Sequence, residues 1–388
     1  MRTQRKPGDA TRESPQTQAI APNVAPNVTP NVARVRRRLL AWYDAHGRAL
    51  PWRTPAGHAD PYRVWLSEVM LQQTTVAATI PYYGAFVAHW PTVRDLADAD
   101  LDAVLHAWQG LGYYARAHNL HATARIVVRD LGGRFPDTAE SLRSLPGIGE
   151  YTAAAVAAIA FSRPEAVVDS NVVRVLGRLL AADEAPAAAG ARIRAWAQLF
   201  VPNRRPGDHA QAMMDLGATV CVPRAPRCGD CPLARDCSAL RTGRPESFPR
   251  RPPKAVRPRR QGVVFWTFRG DGRVLLRKRP LTGLLAGLME FPSTDWRDRP
   301  WKIAEARARA PAKATWRRLG GTVRHTFTHF DLELAVLSGR VDGDMELGCG
   351  SQWTWCALER LGDHALPTVM RKVARHALGH KPGAAGRG

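Results

Sequence analysis

Four cysteines are close enough in sequence to share one metal centre. Cys221, Cys228, Cys231 and Cys237 have the spacing C-x6-C-x2-C-x5-C. Thiolates bind zinc and iron–sulfur clusters, and a set of free, exposed thiols would be prone to oxidation. Structural zinc sites with four cysteines usually pair two short C-x2–4-C units across a longer loop. A single C-x2-C unit between longer spacers therefore favours an iron–sulfur cluster, with zinc as the competing metal.

A glycine turn leads to a carboxylate in the stretch LPGIGEYTAAAVAAIAFSRPEAVVD, which ends at Asp169. Gly147 and Gly149 precede an alanine-rich run that predicts a helix from Tyr151 to Phe161. Glycines allow a tight turn and expose backbone N–H groups at a helix N-terminus, where a phosphate of DNA can bind. The alternative is a packing element in which Asp169 or Ser170 caps the next helix.

Glu68 lies in the segment DPYRVWLSEVMLQQTTVAATIPYYGAF, whose apolar periodicity predicts one helix. Glu68, Gln72, Thr75 and Thr79 would share its polar face. The chain is strongly basic, so an exposed helix face should contain arginine. Uncharged hydrogen-bonding residues such as Gln73 surround Glu68 instead. We therefore predict a functional face, with a solvated helix face as the alternative.

The motif GLGYY places Gly110 and Gly112 before the paired Tyr113 and Tyr114. An aromatic side chain flanked by glycines could wedge into a stack of bases. The alternative is a tyrosine buried beside a turn.

Composition indicates a polyanionic partner. The chain has 388 residues and a formal net charge of +22, and nucleic acid is the commonest polyanion bound by basic proteins. Part of this charge reflects the general arginine bias of the chain and not a binding surface, because only seven of the 56 basic residues are lysine. No apolar run reaches the roughly 18 residues needed to cross a bilayer. We expect a cytoplasmic protein with no membrane partner.

The length predicts more than one domain. We predict a disordered tail over residues 1–33, a helical domain over 34–243, a basic linker over 244–260, a second domain over 261–377 and a disordered tail over 378–388. In the second domain, VVFWTF and RVLLRKR predict a hairpin, TVRHTFTHFDLELAVLSGRV and QWTWCAL predict further strands, and TVMRKVARHALGH predicts a helix.

Taken in order, these motifs resemble those of the MutY-type adenine DNA glycosylases of the helix-hairpin-helix superfamily, which are related to endonuclease III. The resemblance covers about residues 34 to 377 and rests on VWLSEVMLQQT, GLGYY, LPGIGEYTA, VVDSNVVRVLGR, HAQAMMDLGA, the four-cysteine loop and RHTFTHF. It implies a multidomain fold, in which an all-α helix-hairpin-helix glycosylase domain with a [4Fe-4S] loop precedes an α+β Nudix-like domain. The substrate pocket is expected between two helical modules. The implied partner is double-stranded DNA with adenine opposite 8-oxoguanine or guanine, bound by a monomer associated with the nucleoid.

The resemblance also implies roles for individual residues. Glu68 matches the acid that protonates N7 of adenine, and Asp169 matches the carboxylate that stabilises the oxocarbenium-like sugar cation. Glu68 is therefore expected in an apolar pocket that raises the pKa of its carboxyl group. The other matching residues are Tyr151 and Asn171 lining the site, Arg53 near the flipped base, Gln73 and Tyr113 in the base stack, Gly147 and Gly149 at a phosphate, Phe327, Thr328 and His329 in the lesion-reading loop, and Cys221, Cys228, Cys231 and Cys237 as cluster ligands.

Four positions depart from the family pattern. Leu285 in GLLAGLMEFP stands where some relatives have tryptophan, which changes little. Glu150 places an acid inside the glycine turn, beside the expected phosphate. Ser170 stands where glycine is usual after the catalytic aspartate. Thr328 replaces the usual serine of the reading loop and keeps the hydroxyl group.

Three rival functions follow from the same residues. A bifunctional endonuclease III-like glycosylase/lyase for oxidised pyrimidines needs a lysine amine where this chain has Tyr151, and there is no lysine between Lys6 and Lys254. A Nudix hydrolase needs the carboxylate-rich REUxEE helix, but only Asp295 and Asp298 follow GLLAGLMEFP. A non-catalytic DNA-binding protein would not need Glu68.

Overall fold

The computed structural model describes residues 30–54, 59–183, 186–250, 256–281, 283–341 and 353–380. Residues 1–29 and 381–388 of the predicted tails, and residues 251–255 of the predicted linker, lie outside the described residues. The chain forms two compact units. The first unit comprises Met1–His46, Val168–Val201 and Ala212–Arg251, and the second comprises Gly47–Val167, Pro202–Gln211 and Pro252–Gly388.

The described helices are α1 (Val32–His46), α2 (Pro61–Leu71), α3 (Val76–His89), α4 (Val93–Asp98), α5 (Leu101–Ala107), α6 (Ala115–Asp130), α7 (Ala139–Leu142), α8 (Glu150–Phe161), α9 (Ser170–Leu179), α10 (Pro186–Phe200), α11 (Pro206–Thr219), α12 (Ser238–Arg241), α13 (Ile303–Arg307) and α14 (Thr368–Gly379). The described strands are β1 (Arg259–Arg269), β2 (Val274–Lys278), β3 (Met289–Glu290), β4 (Arg317–Arg318), β5 (Val323–Thr326), β6 (Asp331–Val341) and β7 (Trp353–Cys356). Helix α1 thus begins one residue before the predicted end of the first tail, and α14 ends two residues after the predicted end of the second domain. Among the described residues, every helix is too short or too polar to span a bilayer.

The first unit is helical and contains the cysteine segment, which we define as residues 221–237. Asp236 in this segment is 2% exposed. It forms ion pairs with Arg34 and Arg38 of α1. Arg178 of α9 is also buried and donates hydrogen bonds to the carbonyl oxygens of Val222 and Pro223. The buried Asp236 therefore attaches the cysteine segment to α1, and the buried Arg178 attaches it to α9.

Helices α2 to α8 of the second unit pack around one apolar core. Its largest members include Trp65, Phe86 and Trp108. Helix α8 contributes a buried run of small residues, Ala153–Ala158. Small side chains allow α2 and α8 to approach closely, and this contact positions the candidate site.

The single helix predicted over residues 60–86 is wrong. Helix α2 ends at Leu71 and α3 begins at Val76, because Gln73 adopts a left-handed conformation with φ of 57°. The side chain of Thr75 then caps α3 by accepting a hydrogen bond from the N–H of Ala78. Thr75 and Thr79 consequently do not continue the polar face of Glu68, and Thr79 is buried.

Within the described residues, seven strands form one mixed sheet in the second unit. Their order is β3-β2-β1-β6-β4, with β5 paired to β6 and β7 paired to β2. Strands β1 and β6 are parallel, and the other pairs are antiparallel. Helix α14 packs on one face through Val369, Met370 and Val373. The α+β class, the β1–β2 hairpin and the C-terminal helix predicted from sequence are therefore confirmed.

Candidate functional site

Glu68 lies in the second half of α2, whose start is fixed by local sequence. The side chain of Asp60 accepts a hydrogen bond from the N–H of Tyr62, and Pro61 occupies the first helical position. Proline is tolerated there because an N–H at this position would have no helical partner. Glu68 is only 4% exposed. A solvated helix face is therefore excluded as the explanation for this carboxyl group.

Two side-chain hydrogen bonds join α2 to α8 beside this carboxyl group. The hydroxyl of Tyr151 donates to Oε2 of Glu68 at 2.8 Å. Nε2 of Gln72 donates to Oγ1 of Thr152 at 2.9 Å. Burial favours a neutral carboxyl group, whereas an accepted hydrogen bond favours an ionised one. The structure thus brings Glu68 and Tyr151 together through a direct hydrogen bond at a buried position.

The glycine turn lies between α7 and α8 and is fixed by two buried side chains. Leu145 and Ile148 are each 5% exposed. Gly147 is left-handed with φ of 72°, whereas Gly149 caps α8 in an extended conformation with φ of −86°. The expectation that both positions need glycine for the turn is therefore wrong for Gly149. Glu150 is exposed in the first turn of α8, where an acidic side chain is favourable for the helix dipole.

Gln73 and Tyr113, which we call the wedge residues, both have left-handed backbones. Their φ angles are 57° and 49°, values that are unfavourable for residues other than glycine. Gln73 is exposed, and Tyr113 is 43% exposed. Tyr114 is 5% exposed. The alternative of a buried tyrosine beside a turn thus applies to Tyr114 and not to Tyr113.

The predicted lesion-reading residues lie in the β5–β6 turn, residues 327–330. The N–H of Phe327 donates to the carbonyl oxygen of Phe330 at 2.9 Å. The Phe327 ring packs 4.8 Å from Phe330 and 5.7 Å from Trp296, measured between centroids. Phe327 therefore anchors the turn, while Thr328 and His329 are exposed. The hydroxyl groups of Thr328 and the wedge residue Tyr113 are hydrogen-bonded to each other.

Arg53 lies beside a separate cavity of about 240 Å³ in the second unit. Its Nη1 donates to the carbonyl oxygen of Arg48 at 3.1 Å. Trp52, Ser162 and Asp208 also line this cavity, but Glu68 and Tyr151 do not.

Asp169 and Asn171 lie in the first unit, at the start of α9. Oδ1 of Asp169 accepts from the N–H of Val172 at 2.7 Å, so the capping function considered from sequence is confirmed for Asp169. Its Oδ2 accepts from Nδ2 of Asn171 at 2.7 Å. Nη2 of Arg174 donates to Oδ1 of Asn171, and its Nε donates to the carbonyl oxygen of Cys221. One chain of hydrogen bonds therefore runs from Asp169 to the cysteine segment.

The four cysteines of that segment are free thiols that influence one another. Burial is the main cause that raises the pKa of Cys231 to about 12, and the charges of Cys221, Cys228 and Cys237 raise it further. Within the described ranges, no three His, Cys, Asp or Glu side chains converge as a group that could hold a metal ion. The donor chemistry nevertheless fits a cluster, because four neighbouring thiols are the ligands that iron–sulfur centres use.

Comparison with known proteins identifies the family. Residues 66–199 match the model for the HhH-GPD superfamily of base excision DNA repair proteins, and residues 263–376 match the NUDIX domain. The adenine DNA glycosylase of Homo sapiens is 38% identical over 410 residues, which cover 90% of this chain and 74% of the human protein. The chain belongs to the adenine DNA glycosylase family. The Mycobacterium tuberculosis adenine DNA glycosylase is 43% identical over 197 residues, or 50% of this chain and 64% of that protein. A solved thermostable thymine-DNA glycosylase is 28% identical with a TM-score of 0.49, covering 54% of this chain and 97% of that one.

One buried residue of this glycosylase was missed from sequence. Arg116 shares the inward face of α6 with Leu120, Ala124 and Val127. An arginine on the apolar stripe of a predicted helix is the signal that could have identified it.

The glycine turn generates a stability prediction. Gly147→Ala should destabilise the protein by about 1–3 kcal/mol, since the residue is left-handed and its Cβ would lie 2.6 Å from Cβ of Asn119. Gly149→Ala is the matched control, because its Cβ meets nothing within 4 Å. Thermal unfolding of both variants measures the difference, and equal midpoints would contradict this description of the turn.

Proposed function

We propose that this adenine DNA glycosylase is monofunctional and hydrolyses the N-glycosidic bond of adenine paired with 8-oxoguanine or guanine in duplex DNA. The observation that supports this most is the buried Glu68 carboxyl group, which accepts a hydrogen bond from Tyr151. The partner at this position is a phenol, whereas a lyase would need a lysine amine.

Glu68 supplies the proton in the proposed reaction. Adenine is a poor leaving group until its ring is protonated, and Glu68 delivers a proton to N7. Tyr151 holds the Glu68 carboxyl group in one orientation. Bond cleavage then leaves an oxocarbenium-like sugar cation, which the Asp169 carboxylate stabilises. The N–H of Val172 and the amide of Asn171 fix the orientation of Asp169. Water adds to the sugar cation and gives its proton to the Glu68 carboxylate, which restores the acid and completes hydrolysis.

The sheet domain is proposed to recognise the lesion and not to hydrolyse nucleotides. Residues 291–302, which follow β3, contain no helix that could present a carboxylate cluster. Glu290 is fully buried and ion-paired with Arg277 and Arg279. Glu305 is paired with Arg297, whose hydrogen bond lowers the pKa of Glu305 to about 2. Arginines therefore neutralise Glu290 and Glu305.

DNA recognition is proposed to use both the helices and the sheet domain of the second unit. Gln73 and Tyr113 enter the base stack, and the N–H groups at Gly147 and Gly149 bind a phosphate. Thr328 and His329 contact 8-oxoguanine on the opposite strand. The hydrogen bond between Tyr113 and Thr328 supports this division, since it joins a wedge residue to a reading residue. The enzyme is proposed to act as a monomer on nucleoid DNA.

A [4Fe-4S] cluster is proposed as the cofactor, held by Cys221, Cys228, Cys231 and Cys237. The cluster would cross-link the cysteine segment and take no part in base removal. Arg178 places positive charge beside this segment, with Nη1 3.3 Å from Sγ of Cys221. That charge would offset the negative charge of the thiolates.

Substitution of the two carboxylates tests the chemistry. Glu68→Gln should abolish adenine release while retaining mismatch binding, because it keeps the side-chain shape and removes the acid. Asp169→Asn should slow release on the order of a hundredfold or more. Single-turnover release from an adenine:8-oxoguanine duplex measures both effects, with the exposed Glu359→Gln as control. Turnover of either catalytic variant within about twofold of wild type would refute its assigned role.

Metal analysis tests the cofactor. Anaerobically purified protein should be brown and contain about four irons per chain. Cys228→Ser should lose iron, whereas Cys356→Ser, which changes a buried thiol of β7, should retain it. Stoichiometric zinc without iron would contradict the cluster.

Substitution in the β5–β6 turn tests lesion reading. Thr328→Ala combined with His329→Ala should reduce the preference for adenine:8-oxoguanine over adenine:guanine more than it reduces excision from adenine:guanine. Thr326→Ala, on the adjacent strand, is the control. An equal loss on both mispairs would make the sheet domain a general DNA clamp.

A further inference from the structure

Arg116 at the start of α6 is a buried cation without a carboxylate partner in the described part of the chain. It is 8% exposed. Burial lowers the pKa of its guanidinium to about 10, so the group stays charged at neutral pH. All of its side-chain hydrogen bonds go to neutral oxygen atoms. A buried, unpaired charge opposes folding, and its presence therefore calls for a functional explanation.

One set of Arg116 contacts fixes the turn that contains Gln73. Nη1 donates to the carbonyl oxygens of Val69 at 2.9 Å and Met70 at 2.8 Å, in the last turn of α2. Nη2 donates to Oγ1 of Thr74 at 3.1 Å. These acceptors lie on both sides of Gln73 in the chain. The guanidinium therefore braces the left-handed Gln73 from inside the protein.

A second set of contacts fixes the loop that contains Tyr113. Nη2 also donates to the carbonyl oxygens of Leu111 at 3.0 Å and Gly112 at 3.1 Å. The guanidinium carbon lies 5.1 Å from the Trp108 ring centroid and 5.7 Å from that of Tyr113. The planar guanidinium thus binds residues on both sides of Gln73 and also the loop of Tyr113 with one rigid group, which a lysine ammonium cannot do.

We propose that Arg116 is the positioning residue that holds Gln73 and Tyr113 in the arrangement required to open the base stack. This inference rests on the proposed function, in which these two residues enter the duplex. Arg116 itself does not touch DNA and supplies no proton. Its loss impairs extrusion of the adenine and leaves the chemistry of Glu68 unchanged.

Base extrusion measured separately from base release tests the proposal. The probe is a duplex with 2-aminopurine, a fluorescent adenine analogue, opposite 8-oxoguanine. Fluorescence should rise when wild-type protein binds and unstacks the analogue. Arg116→Met should lose most of this rise and slow single-turnover adenine release on the order of tenfold or more. Arg116→Lys should give an intermediate rise, because it restores charge without the planar fork.

A matched control separates positioning from general stability. Leu120→Ala removes a fully buried side chain one turn further along α6. It should lower the thermal midpoint without abolishing the fluorescence rise. If Leu120→Ala and Arg116→Lys, compared at equal fractions folded, lost the same amount of signal, the role of Arg116 would be structural and the proposal would be overturned.

A double-mutant cycle provides the second test and does not require Arg116→Met to fold. In a Gln73→Ala, Tyr113→Ala background, Arg116→Lys should have little further effect on the fluorescence rise. Additive effects would refute the proposal. Because the fluorescence signal needs no bond cleavage, a wild-type protein that unstacks the analogue but releases no adenine would refute the proposed function alone.

Discussion

The last turn of helix α2 leaves carbonyl groups without helical partners, and the candidate site depends on how they are bound. Arg116 binds those of Val69 and Met70 from inside the protein. The chain can therefore leave the helix at Leu71 and turn outward through Gln73. Glu68 stays inside the helix, where the hydroxyl of Tyr151 reaches it. One buried cation thus binds the end of α2 and supports the turn of a proposed wedge residue, whereas Tyr151 binds the carboxyl group of the proposed proton donor.

The second unit joins these helices directly to the sheet domain. Nε2 of Gln109 donates to the carbonyl oxygens of His364 and Leu366. Lys278 of β2 forms an ion pair with Asp102 of α5. A third contact is the hydrogen bond between the hydroxyl groups of Tyr113 and Thr328. The proposed wedge residue Tyr113 and the proposed reading residue Thr328 are therefore held in the same unit.

The sequence predicted residue types better than it predicted backbone geometry. Glu68 was identified because uncharged polar residues surround it, but the helix was extended too far. The turn after Leu71 contains no glycine or proline, and its left-handed residue is Gln73. Local hydrogen bonds close this turn, from the N–H of Gln72 to the carbonyl oxygen of Val69 and from the N–H of Thr74 to that of Leu71. The buried contacts of Arg116 add tertiary support, which the sequence pattern does not reveal. The sequence indicated Asp169 both as a helix cap and as a candidate catalytic carboxylate, and one side chain can serve both purposes.

In the sheet domain too, the sequence predicted the strands but not the tertiary contacts between their side chains. Its strands follow from alternating and apolar runs, and its hairpin follows from Gly272 and Asp271. The pairing of Glu290 with two arginines, by contrast, joins residues that the sequence pattern does not connect. Gly149 is a further example, because the glycine motif does not distinguish its extended backbone from the left-handed backbone of Gly147.

The proposed monofunctional adenine glycosylase activity is tested most directly by base release from four duplexes. The wild-type protein is given adenine opposite 8-oxoguanine, guanine, cytosine or thymine. Half of each sample is treated with alkali to cleave abasic sites, and the other half is left untreated. The account predicts adenine release opposite 8-oxoguanine and guanine, little release opposite the pyrimidines, and strand cleavage only after alkali. Equal release from all four duplexes, or strand cleavage without alkali, would contradict it.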